Sequence, residues 1–105
     1  MAYNMNRVFK DTESGAVVTM WELAEAYEAG ESEAESFGEY VWNCQSHQGG
    51  TLEEIRDYQI VKGFARFRVL KYGMCNFDGI ACRDWRELKE VDTAEEAAAY
   101  IAAVM

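Results

Sequence analysis

The chain has 105 residues, half of them apolar or aromatic, and carries a net charge of −9 from 19 acids against 10 bases. That length suits one domain, residues 1–105, with a single modest core, and that apolar content excludes a disordered chain. An acidic balance of this size repels nucleic acid and anionic lipid, so it argues against direct nucleic-acid or membrane binding and favours a basic partner.

No apolar run approaches the ~18 residues of a membrane span. No basic segment backed by an apolar run opens the chain, so a cytoplasmic protein is expected. Cys44, Cys75 and Cys82 make an odd number of cysteines, which points to reduced thiols. Proline is absent, and turns fall to Gly, Asn and Asp.

Residues 3–10 read as a first strand. The polar cluster Asp11-Thr12-Glu13-Ser14-Gly15 then leads to a short β-branched run at 16–19, so a hairpin is expected. Thr19-Met20-Trp21-Glu22 fits a capping box, in which hydroxyl and carboxylate each satisfy a free amide at a helix start. This helix should run to about residue 29 and stop at Gly30, with Met20, Leu23, Ala24 and Tyr27 as its buried stripe. Ser32-Glu33-Ala34-Glu35 repeats the box and predicts a second helix to residue 46, burying Phe37, Tyr40, Val41 and Cys44. On a helical wheel Trp42 falls beside Glu35 and Glu39, and Trp21 lies at the stripe edge near Glu25 and Glu28. His47-Gln48-Gly49-Gly50 breaks the helix, and Thr51-Leu52-Glu53-Glu54, a third box, predicts a short helical turn.

Residues 57–72, DYQIVKGFARFRVLKY, read as the central strand, with Ala65, Phe67 and Val69 alternating against Lys62, Arg66 and Arg68. No Asp or Glu occurs from 58 to 77, so Lys62, Arg66, Arg68 and Lys71 form a basic stripe with Phe64 and Phe67 interleaved. Gly73 is expected to end this strand. Asp78-Gly79 signals a hairpin into a partner strand at 80–85, with 86–91 either its continuation or a loop. Asp92-Thr93-Ala94-Glu95 caps a final helix whose inward stripe is Ala94, Ala97, Ala98 and Ile101. The order β-β-α-α-β-β-α indicates an α+β domain, a mainly antiparallel sheet of about four strands with an acidic helical hairpin and a C-terminal helix, its helices over one face.

Cys44, His47, Cys75 and Cys82 together match the donor set of a structural zinc site. Cys75 and Cys82 are not spaced as a tight knuckle, so no metal is expected. A Cys44–His47 nucleophile pair has no recognisable oxyanion partner, and Gly49-Gly50 lacks the Lys of a phosphate loop. Neither an enzyme nor a bound cofactor is expected.

The charge pattern is more informative. Eleven acids and no Lys or Arg lie between Lys10 and Arg56. Within the predicted helical hairpin Glu22, Glu25, Glu28, Glu31, Glu33, Glu35 and Glu39 crowd together, and with Trp21 and Trp42 they form a candidate partner-binding surface. An alternative is a nucleic-acid-binding strand using Lys62, Phe64, Arg66, Arg68 and Lys71, where rings stack on bases and cations meet phosphates. In a further alternative, a homodimer sets the basic stripe of one copy on the acidic hairpin of another.

The segments DTESGAVVTMWELAEAYE and ESFGEYVWNCQSHQGGTLEEI resemble small uncharacterised acidic proteins of phages and mobile elements of Gram-positive bacteria, of the D-T-x-[ST]-G, T-x-x-E-L, G-G-T-L-E-E-I type. The resemblance covers residues 9–55. It implies an accessory role such as counter-defence, whose inhibitors include anti-CRISPR and anti-restriction proteins, acting in the host cytoplasm.

Overall fold

The computed structural model describes residues 4–30 and 33–105. The order is β1 (Val8–Asp11), β2 (Val17–Thr19), α1 (Met20–Glu28), α2 (Phe37–Cys44), β3 (Leu52–Glu54), β4 (Tyr58–Lys62), β5 (Phe67–Phe77), β6 (Ile80–Val91) and α3 (Ala94–Val104), with one 3-10 turn at Ser46–Gln48. The class is α+β and the sheets are antiparallel. Instead of one sheet of four strands there are two sheets of three, ordered β2-β1-β3 and β4-β5-β6. Among the described residues no helix is long and apolar enough to cross a membrane. Residue 3, placed in the first strand by the sequence, and Glu31 and Ser32 of the acidic run lie outside the described residues.

The first sheet is covered on both faces, because adjacent residues of β1 point opposite ways. Val8 joins Val17, Tyr58, Ile60, Val69, Val91, Ala97 and Ile101 in a core shared by both sheets and α3. Phe9 joins Met20, Leu23, Val41 and Leu52 in a second core that seats α1 and α2. Helices over a single face were expected; a strand apolar at both Val8 and Phe9 requires cover on two sides. The Ile55 N–H to Val8 C=O bond, 2.8 Å, extends the β1–β3 ladder, and the bond from Ile60 N–H of β4 to the Asn6 C=O ahead of β1, 3.1 Å, joins the two sheets.

The expected central strand is a hairpin. The chain turns back at 63–66, where Gly63 N–H donates to Arg66 C=O at 2.7 Å, and Ile60 comes to lie opposite Val69. A straight strand over 57–72 would leave Tyr58 and Ile60 without apolar partners, whereas folding it on itself buries both against Val69. Gly73 does not end β5, which continues to Phe77, and β6 runs through 86–91 after a bulge that leaves Leu88 unpaired and packed on the core. Asp78 and Gly79, at φ 50° and 80°, form the predicted tight turn.

Two capping expectations also shift. The Thr51 box forms no helix: Leu52 is buried opposite Asp11, and the Thr51 carbonyl accepts the Thr12 amide at 2.8 Å. Burying a leucine and joining a ladder outweighs a cap worth about 1 kcal/mol. Gly50 ahead of it is obligatory, since a Cβ there would overlap the Cys44 carbonyl. The second helix starts one box later than predicted, with Ser36 Oγ accepting the Glu39 amide at 3.2 Å and Glu39 Oε2 accepting the Glu35 amide at 3.0 Å.

Candidate functional site

Helices α1 and α2 form the predicted acidic pair, joined by Tyr27, whose ring lies 5.9 Å from Phe37 and 5.6 Å from Tyr40. With Leu23, Val41 and Met20 facing the sheet, the charged positions are forced outward, and Glu22, Glu25, Glu28, Glu35 and Glu39 are all exposed. The ion pairs of the described residues lie elsewhere: Arg7 with Glu54 at 2.8 Å, Arg66 with Glu90 at 2.9 Å and Asp92 at 3.0 Å, and Arg68 with Glu87 at 3.7 Å. None of them reaches a glutamate of α1 or α2. Burial, then Glu95, then Glu25 hold the Glu22 carboxyl above its ordinary value.

The neighbour Glu95 is a residue that sequence reasoning missed. Packing of α3 against β2 brings Glu95 of its acidic first turn near Glu22 at the start of α1, so the acidic surface extends past the helical pair. The cap motif at Thr93 was legible, but the approach of two helix N-termini depends on tertiary packing.

The two tryptophans part company. Trp42 is 52% exposed and its ring stands nearly perpendicular to that of His47, with ring centroids 4.6 Å apart. Trp21 is half-buried, packs on the shared core, and sets its ring edge-on to Phe67 at 5.1 Å. Trp21 therefore braces α1 against the second sheet, and Trp42 is the exposed indole on the acidic side.

The basic stripe does not survive as one surface. Lys62 ends β4, Phe64 stands fully exposed in the 63–66 turn, and Arg66, Arg68 and Lys71 follow on the returning strand. Arg66 and Arg68 are met by acids of β6 and its C-terminal flank, and the Lys71 ammonium sits 5.3 Å from the Tyr58 ring centre.

Among the described residues no three His, Cys, Asp or Glu side chains gather as a metal site. Cys44 ends α2, whereas Cys75 and Cys82 face each other on β5 and β6. Burial pushes the Cys44 thiol up, against a lowering hydrogen bond from Tyr40, which reduces its thiolate fraction. An open hollow of about 420 Å³ between the first sheet and α1–α2 is lined by Val18, Leu23, Leu52, Cys44 and Asp11 among others. Asp11 Oδ1 already accepts the amides of Glu13 and Ser14, so the carboxylate there holds a turn. Compared with known protein families, curated proteins and solved structures, the chain matches none.

Proposed function

We propose that this protein is a small non-catalytic inhibitor that sets its acidic helical face on a basic, nucleic-acid-handling partner and displaces the natural polyanion. Glu22, Glu25, Glu28, Glu35 and Glu39 carry the charge, Trp42 is the anchor, and Glu95 widens the face. One observation supports this above the others: ten Lys and Arg are available in the chain, yet no described cation pairs with a carboxylate of α1 or α2. Uncompensated charge of one sign raises the association rate with a surface of the other sign. The resemblance to phage and mobile-element proteins makes counter-defence of the anti-CRISPR or anti-restriction type the setting, in the host cytoplasm. The rival reading, nucleic acid on residues 62–72, loses support because Arg66 and Arg68 carry their own acids.

The test is inhibition of DNA binding by purified restriction and CRISPR effector complexes, with the wild type and with a variant carrying Glu25→Gln, Glu28→Gln, Glu35→Gln and Glu39→Gln. Inhibition by the wild type that weakens with salt and collapses in the variant is expected. An effector inhibited equally by both removes the acidic face from the mechanism. Retention of DNA by the protein itself at ~50 mM salt, where phosphate contacts are strongest, would favour the rival.

A further inference from the structure

Beyond Tyr58, the first residue of β4, strands β5 and β6 continue as a two-stranded arm. Its register places Cys75 directly opposite Cys82. Directly opposed residues of an antiparallel pair share a face, so both thiols lie on one side of the ribbon. Phe77 and Ile80 flank a two-residue turn and exchange hydrogen bonds; the next pair, Asn76 and Ala81, does not, and Cys75 and Cys82 come next as a bonded pair. Such pairs have Cα atoms about 5.5 Å apart, within the ~4.4–6.8 Å that a disulfide spans. Their Cβ atoms stand at the wide end of the cross-strand range, so the strands draw together locally to close the bond, and the bond is readily reduced. Both cysteines are half-buried and reachable from solvent. The Cys75 Sγ leans toward the hollow, over the Gly73–Asp84 pair, 3.9 Å from the Asp84 carbonyl oxygen and 3.9 Å from that of Gly73, and a rotation about its Cα–Cβ bond turns it toward Cys82.

The same face holds a second feature. Lys71 lies directly opposite Arg86, a like-charged cross-strand pair, and neither makes an ion pair among the described residues. Like charges in that relation repel. The residue pair between them and the cysteines is Gly73 and Asp84, and the Asp84 Oδ1 is engaged by the Trp85 amide at 2.8 Å. Lys71, Gly73, Met74, Cys75 and Arg86 line a hollow of about 230 Å³, and Gly73 leaves it open, with nothing within 4 Å of where a Cβ would stand.

We propose that this hollow receives an anionic low-molecular-weight disulfide of the glutathione class, and that Cys75 and Cys82 react with it to close a reversible disulfide across the arm. Lys71 and Arg86 meet the reagent's carboxylates, which relieves their mutual repulsion. The Cys75 thiolate attacks one sulfur of the reagent; that S–S bond breaks, a mixed disulfide forms, and the first small thiolate leaves and takes up a proton. The Cys82 thiolate then attacks the Cys75 sulfur and releases the second small thiol. Two electrons pass to the reagent, which is reduced to two thiols, and the protein gains one S–S bond. A closed arm holds its tip, residues 76–81 with Ile80 70% accessible, in one register.

Full-length protein is incubated with oxidised glutathione, quenched with acid and alkylated, and its peptides are mapped by mass. A Cys75–Cys82 link with the loss of two hydrogens is expected, while Cys44 stays a thiol. Cys82→Ser should accumulate glutathione on Cys75. A variant carrying Lys71→Gln and Arg86→Gln should react several-fold more slowly with oxidised glutathione but at an unchanged rate with the neutral bis(2-hydroxyethyl) disulfide. Two free thiols, or a separate glutathione on each cysteine, would overturn the pairing. Equal slowing with both reagents would overturn the role given to the hollow.

Discussion

The helical pair and the long hairpin treat their charges in opposite ways. On the hairpin, Arg66, just ahead of β5, and Arg68 within it face the strand that returns beside them, and Glu90, Glu87 and the following Asp92 lie within salt-bridge reach. On α1 and α2 the adjoining charged element is the first turn of α3, which brings Glu95, more charge of the same sign. A block of like charge thus stays a surface feature only where the fold supplies no opposite neighbour. Cross-strand neighbours supply one to Arg66 and Arg68, whereas the helices meet the sheet through apolar side chains and leave their acids to solvent.

The comparison breaks most severely if the helices lose their seat. Phe9 is fully buried with Met20, Leu23, Val41 and Leu52, and Phe9→Ala should lower stability by about 3–5 kcal/mol. Urea denaturation followed by helical circular dichroism measures it, and a loss below about 1 kcal/mol would show that the second core does not hold α1 and α2. Next in size is Thr93→Ala. The Thr93 hydroxyl accepts the Glu96 amide at 3.1 Å, so its removal should cost about 1 kcal/mol and loosen the turn that places Glu95 beside Glu22. If Glu95 is the neighbour described, that variant should also lower the Glu22 pKa toward its ordinary value, as read by carboxyl titration in NMR spectra.

Those two sites show what was readable from residues alone. The Thr19 and Thr93 caps and the Asp78-Gly79 turn are local, each fixed by residues within four positions of one another, and the inward stripe of α3 follows from spacings of three and four. Ala94, Ala97 and Ile101 are buried as their spacing implies. The outward glutamates were readable for the same reason. The hairpin at 63–66 was not, because Gly63 is a lone turn signal at the point where the apolar face shifts from Tyr58 and Ile60 to Phe67 and Val69, and the burial of Tyr58 and Ile60 with Val69 decides for reversal. Thr51 misled because a capping signature is also a polar strand start when Leu52 has a sheet to join. The pairing of Arg66 with Glu90 and Asp92 spans 24 and 26 residues, beyond the reach of any sequence window.

Arg66→Ala sharpens the contrast on the hairpin side. Its guanidinium bridges two carboxylates but is half exposed, so the loss should stay within about 1 kcal/mol and shrink with salt. Its larger effect should be on surface charge: Glu90 and Asp92 would be released, and the hairpin would come to resemble the helices. If inhibition of a basic partner then improves, unpaired acid anywhere on the protein suffices; if it does not, the position of the charge on α1 and α2 matters.

The smallest effect is the one whose sign is most informative. Because folding raises the Glu22 pKa through burial and then through Glu95 and Glu25, the folded state holds that proton more tightly than the unfolded state. The resulting stabilisation is complete below the unfolded carboxylate range and is lost as pH rises through the raised folded value. At neutral pH ionised Glu22 therefore opposes folding, and Glu22→Gln should stabilise slightly, by well under about 1 kcal/mol, since the carboxylate is largely exposed and screened. The two proteins should converge as pH falls below the carboxylate range, and salt should narrow the gap at pH 7. A less stable Gln variant at pH 7 would mean that attraction of Glu22 to the free amides of the α1 N-terminus outweighs burial and its acidic neighbours. The helical face would then be compensated from within, leaving less charge for a partner to neutralise.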